Sequence, residues 1–177
     1  RPPRSTLFPY TTLFRSQPPE GMSLAEYFGD RMPPERLEMM HAELRARAGE
    51  MGLPIAPPGF ICNTRRAHEL AEYARDQGRL DRLILPLFQA YFVQGLNLYE
   101  EAVLGQVAEA AGLDRQEALA AVRARAHARR VDEHLALAAR YGIHSVPTFI
   151  VNNRYKIVGA QPYELLCDAL RRIARGE

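Results

Sequence analysis

Tryptophan is absent from these 177 residues, and cysteine occurs only at Cys62 and Cys167. Two thiols so far apart form neither a disulfide framework nor a zinc cluster, and such sparse cysteine points to a reducing, cytoplasmic setting. Neither Cys-x-x-Cys nor Ser-x-x-Cys occurs, and no histidine sits in a His-Glu-x-x-His pattern, so no metal is expected. A dominant charge is also missing. Lys and Arg total 23 against 21 Asp and Glu, a formal +2, too small an excess to suggest a nucleic-acid partner. The arginines of 123–130 alternate with alanine rather than with aromatics, as on the solvated face of a helix and unlike a base-stacking surface. No apolar run approaches the ~18 residues of a membrane span, and no signal-peptide pattern is legible from Arg1 onward.

Helical periodicity is abundant. The chain is 47% hydrophobic, enough for one domain with a sizeable core or for a core carrying an insertion. Ser23 is placed to cap a short helix through Phe28. Pro33-Pro34 restarts the chain, and Glu35 to Ala48 carries Leu37, Met40 and Leu44 at helical spacing before Gly49 and Gly52. The stretch Leu53 to Ile61 is proline-rich and extended. Asn63-Thr64 supplies a cap for Arg65 to Gln77, where Ala67, Leu70, Ala71 and Ala74 form one apolar stripe closed by Gly78. Leu80 to Gln94 is the most apolar segment, and Pro86 predicts a kink or a break at Leu85. Further helices are expected over Leu98–Ala111, from an Asp114/Glu117 capping box to Ala126, and over Arg129–Tyr141.

The C-terminal segment changes character. Gly142 stops a helix, Val146-Pro147-Thr148 enters a β-rich run through Val151, and a second run spans Tyr155 to Val158. Asn152-Asn153 between them tolerates the left-handed backbone of a tight hairpin turn. Pro147 cannot donate to a sheet ladder and so belongs at a strand entrance. A cis X-Pro bond there would serve a sharp bend. Gly159-Ala160-Gln161-Pro162 then opens a last helix, with Pro162 suited to its first turn.

Gly142-Ile143-His144-Ser145-Val146-Pro147-Thr148-Phe149, with Val158-Gly159-Ala160-Gln161-Pro162, resembles the DsbA superfamily, most of all its FrnE-like branch of dithiol–disulfide oxidoreductases and isomerases. Asn63-Thr64-Arg65-Arg66-Ala67-His68-Glu69-Leu70 and Ala90-Tyr91-Phe92-Val93-Gln94-Gly95 are also similar to that branch. The resemblance implies an α/β, thioredoxin-like fold with a large all-helical insertion, lacking the first β-α unit. It divides the chain into 1–22, a partial or non-native segment; 23–142, the helical insertion; and 143–177, the C-terminal half of the thioredoxin-like domain. Within the first part, Arg4 to Ser16 repeats Thr-Leu-Phe between Arg-Ser pairs and looks like translated sequencing-adapter read-through. On that alignment the chain is authentic from about Gln17. The family's Cys-x-x-Cys would have preceded it, at a helix start that stabilises a thiolate.

Val146, Pro147 and Thr148 are the candidate substrate-binding loop: the resemblance implies that backbone groups before the proline pair with an extended substrate. Ala160 and Gln161 match the position where glutathione-using relatives meet the γ-glutamyl end, so glutathione is a possible ligand although no cofactor is required. Gln161 stands where kappa-class relatives have acidic or hydroxyl side chains, and ordinary helix capping serves equally well. His68 and His144 are candidate groove residues, each with a cap or loop hydrogen bond as its plainer role. His127 and His134 are expected on helix surfaces. Cys62, just before a helix cap, and Cys167, in the last helix, are expected to be packing residues.

Three functions follow. The first is a thiol–disulfide oxidoreductase or isomerase acting on a disulfide-containing protein or a small-molecule thiol. The second is a glutathione-dependent enzyme resembling 2-hydroxychromene-2-carboxylate isomerase or kappa-class glutathione transferase. The third is a redox-inactive helical binding module. The sequence leaves oligomeric state open.

Overall fold

The computed structural model describes residues 17–29, 32–56 and 58–176. The adapter-like segment Arg4–Ser16 lies outside them. The described residues up to Glu133 form one compact unit, and those from His134 onward form a second. That division falls within a helix, nine residues before the 142/143 boundary expected from the sequence.

The first unit begins with β1 (Met22–Ser23), which pairs antiparallel with β2 (Phe60–Ile61). The sequence reads as extended at Phe60 but does not reveal this pairing. Ser23 then caps α1 (Leu24–Phe28): its hydroxyl accepts from the Glu26 N–H, and the Glu26 carboxylate accepts from the Ser23 N–H. Those bonds to Ser23 hold the Glu26 carboxyl below its usual range. The next helix, α2 (Pro34–Glu50), runs through Gly49 before ending at Met51.

At the centre lies α3 (Arg65–Asp76), in which every residue from Ala67 to Ala74 is buried. Its apolar stripe meets α4 (Leu80–Phe92), α5 (Glu101–Ala110) and α6 (Arg115–Arg123). Leu70, Leu83 and Leu104 are fully enclosed, each contributing about 2 kcal/mol through burial. Three expectations are corrected here. Pro86 sits inside α4, which continues past it, so the break considered at Leu85 does not occur. The fifth helix starts at Glu101, because Asn97 Oδ1 accepts from the Tyr99 N–H and holds the chain in a turn. The sixth ends at Arg123, and Arg125 takes a left-handed φ of 53°.

Burial on all sides forces the polar residues of α3 into partnerships. Glu69 and Glu72 are 2% and 1% exposed. Glu69 accepts from Arg65 at 2.8 Å and from Arg125 at 3.0 Å. Glu72 pairs with Arg75 at 3.1 Å and lies 3.6 Å from Arg130. Asp76, one turn on, accepts from Arg130 at 2.6 Å and lies 3.0 Å from His127 Nε2. Arg65 also bonds Asp132 and the Ala128 carbonyl. The 123–130 segment is therefore not a wholly solvated helix face, since Arg125 and Arg130 reach the carboxylates of α3. His127 likewise departs from expectation: it precedes α7 (Ala128–Arg140), is held by Asp76, and stands edge-on to Tyr73 at 5.9 Å.

The second unit contains the end of α7, the hairpin β3 (Thr148–Val151) and β4 (Tyr155–Val158), and α8 (Tyr163–Arg175). Thr148 faces Val158 and Val151 faces Tyr155. Asn152 and Asn153 have left-handed φ of 52° and 54° in the three-residue connection 152–154, where the Arg154 N–H donates to the Val151 carbonyl at 3.1 Å.

Candidate functional site

The loop between α7 and β3 is built by its neighbours. Gly142 adopts φ 59°, which lets its N–H reach the Ala139 carbonyl while the Ile143 N–H returns to Ala138. The chain then leaves the helix through His144, Ser145 and Val146, all exposed. The Val146–Pro147 peptide bond is cis. Thr148 Oγ1 donates to the Ser145 carbonyl at 2.7 Å and closes the loop on itself.

Hairpin register brings the second candidate pair to the same end. Beyond the Thr148–Val158 pair, the Gly159 N–H donates to the Pro147 carbonyl at 2.8 Å. Gly159 has φ 87°, a conformation a Cβ would disfavour, so glycine is suited to this turn. Ala160 and Gln161 follow, both exposed. Gln161 Nε2 donates to the Val158 carbonyl at 2.8 Å. Pro162 is the cap of α8, one position earlier than the first helical position anticipated from the sequence, and α8 begins at Tyr163. Val146, Pro147, Thr148, Ala160 and Gln161 thus gather at one end of the hairpin. Among the described residues, neither the N–H nor the C=O of Val146 has a hydrogen-bond partner, and β3 has only β4 beside it. The arrangement can accept one extended segment by backbone pairing.

His144 lies beside this loop; its Nε2 is 4.0 Å from where a Cβ on Gly142 would stand. His68 belongs to the first unit and is only 8% exposed, which makes it a packing residue of α3 rather than part of an open surface. A residue missed in the sequence is Lys156 on β4. Its Nζ donates to the carbonyls of Gly142 at 3.2 Å and Tyr141 at 3.4 Å, where the chain leaves α7. Only the hairpin register, which places Lys156 opposite Ile150 and on the face of Thr148, brings it there.

Neither cysteine is part of this loop. Cys62 is 1% exposed, and burial pushes its thiol pKa up, the reverse of an activated nucleophile. Neighbouring Tyr91 donates to the Phe60 carbonyl at 2.8 Å, and burial raises its pKa as well. Cys167 is partly exposed on α8, and the two thiols are unbridged. Among the described residues no cluster of His, Cys, Asp and Glu could hold a metal, and no helix is long and apolar enough to cross a membrane.

Residues 11–171 match the DSBA-like thioredoxin domain. That span begins inside the segment 4–16 set apart above. No curated protein matches. Among solved structures, a probable DsbA oxidoreductase from Streptomyces coelicolor superposes with a TM-score of 0.82 at 27% identity, over 93% of this chain and 73% of that one. A 2-hydroxychromene-2-carboxylate isomerase superposes with a TM-score of 0.69 at 22% identity, over 84% of this chain and 75% of that one, a likeness of fold. The architecture is thioredoxin-like α/β with a helical insertion, and the chain belongs to the DSBA-like thioredoxin domain family.

Proposed function

We propose that this chain carries the substrate-facing part of a FrnE-like thiol–disulfide oxidoreductase or isomerase. The observation that carries this is the loop at Val146–Thr148, where, among the described residues, the N–H and C=O of Val146 have no hydrogen-bond partner at the entrance of β3. A disulfide-bearing polypeptide laid there as an added strand would have its sulfur held by backbone bonds while exchange takes place. In such exchange the thiolate of the first cysteine of a Cys-x-x-Cys attacks one substrate sulfur. The other substrate sulfur leaves as a thiolate, and a mixed disulfide forms. The second cysteine then attacks that bond, releasing the reduced substrate and leaving the enzyme oxidised. No Cys-x-x-Cys occurs in these 177 residues, so the reaction is proposed for a protein that supplies one. Cytoplasmic placement accords with the two unbridged cysteines.

The glutathione-dependent alternative draws on the isomerase-like fold. Against it, Gln161 already uses an amide hydrogen on the Val158 carbonyl and supplies no acidic or hydroxyl group.

Sequencing of the source locus upstream of the codon for Gln17, followed by a disulfide-exchange assay on the protein it encodes, tests the choice. A Cys-x-x-Cys at a helix start and exchange activity are expected. Serine in place of the attacking cysteine would transfer the assignment to glutathione chemistry. An uninterrupted coding start that yields only the present residues would leave a binding module.

A further inference from the structure

We infer that Lys156 makes the proposed groove selective for a substrate strand bearing a carboxylate beside the segment that pairs with Val146. This rests on the loop function proposed above. Lys156 is the sole lysine in the sequence, every other cationic side chain apart from histidine being arginine. An ammonium has three donor hydrogens. Two point to the Gly142 and Tyr141 carbonyls, and no carboxylate pairs with Lys156 among the described residues. The third donor and the positive charge remain available on an exposed side chain.

The location ties that charge to the loop. Thr148 faces Val158 across the hairpin, and Lys156 is two residues from Val158 on the same face. Diagonal positions of this kind bring Cβ atoms to roughly 7 Å of one another. Lys156 Nζ and His144 Nε2 approach one point, 3.7 Å and 4.0 Å from where a Cβ on Gly142 would stand. The other cation of the hairpin, Arg154, lies over its neighbour Tyr155. Neither acid of α8 pairs with Lys156 among the described residues: Asp168 is bonded to Arg171, and Glu164 forms no pair with the lysine. The face of the hairpin that carries Thr148 therefore presents a positive charge where the chain leaves α7, four residues before the Val146 backbone groups able to pair with a strand. An acidic side chain on an extended polypeptide fits beside that charge; a glutamine in its place forfeits the charge attraction.

The single lysine also makes the test direct. Reductive methylation with labelled formaldehyde marks Lys156 and, besides it, only the α-amino group. The present chain is titrated with two extended Val/Thr-rich peptides identical except for one Glu or Gln, while the Val146 amide and the Lys156 methyl signals are followed by NMR. Both peptides are expected to shift the Val146 amide. The Glu peptide should bind about three- to fivefold more tightly at low salt and alone move the Lys156 signal. Lys156→Met should abolish that preference, and Lys156→Arg should restore part of it. A purely structural role for the lysine would weaken both peptides together. Equal affinities with a shifted Val146 amide would overturn the charge selection and leave the loop function standing. No shift of Val146 with either peptide would remove both. S-methylglutathione moving the Lys156 signal at lower concentration than the Glu peptide would overturn the polypeptide assignment in favour of a small thiol.

Discussion

Arg125 reaches Glu69 from a left-handed backbone: its φ is 53°, and its Nη2 lies 3.0 Å from the Glu69 Oε1. A residue with a Cβ normally avoids that region at a cost of about 1 kcal/mol. Here the conformation turns the chain between α6 and α7 so that an exposed arginine closes over a carboxylate only 2% exposed. Two substitutions separate the terms. Arg125→Ala loses the ion pair and keeps the backbone cost, whereas Arg125→Gly loses the pair and relieves it. Chemical denaturation should find the glycine variant more stable than the alanine variant by about 1 kcal/mol. Equal stabilities would mean that the turn is not left-handed in solution.

Asp76 gives the acid limb of stability. Its hydrogen bond from Arg130 holds the carboxyl below its usual range, with His127 acting in the same direction against desolvation. The folded form thus takes up this proton at lower pH than the unfolded form, whose pKa is about 3.9. The stabilisation is complete above that value and is lost as pH falls through the lowered folded value. Asp76→Asn should therefore lower the melting temperature at neutral pH and flatten its decline below about pH 4, measured as melting temperature against pH.

Cys62 and Cys167 should differ in reactivity. Burial raises the Cys62 thiol pKa, whereas Cys167 is partly exposed. With an aromatic disulfide reagent at pH 8, one thiol per chain should react quickly and be Cys167 by peptide mapping. The second should react only at the rate of unfolding. Fast labelling of both would show that the packing around Cys62 opens readily.

Pro86 lacks the N–H that an α-helix would use at its position in α4. Pro86→Ala should restore one backbone hydrogen bond and raise stability by about 1 kcal/mol or more. A decrease in denaturation midpoint would show that the proline ring's packing outweighs the missing bond.

Much of the fold was legible because it is written in local chemistry. Ser23 with Glu26, and Asp114 with the Glu117 N–H, announce helix starts. Ala67, Leu70, Ala71 and Ala74 announce one buried face. Asn152-Asn153 announces the hairpin turn. The proline at the entrance of β3 and the glycine-led turn before α8 were legible too, since a proline cannot donate to a sheet ladder and a glycine readily takes positive φ. The other face of α3 was not: nothing in the local sequence marks Glu69 and Glu72 as buried, since Arg125 and Arg130, which reach them, lie more than 50 residues away in the chain. His127 was misplaced for the same reason, because Asp76 is distant in sequence and adjacent only after folding.

The sequence by itself determined where the side-chain-capped helices α1 and α6 start, where the hairpin turns, and which residues enter its first strand, because caps, turns and periodicity act within a few residues. It also determined that no Cys-x-x-Cys is present among these residues. Tertiary structure alone decided that α3 is enclosed on every side and that Lys156 stands over the carbonyls leaving α7. These last features depend on burial and on charges meeting across long stretches of chain, and one residue's propensity carries no information about the partner that will arrive opposite it.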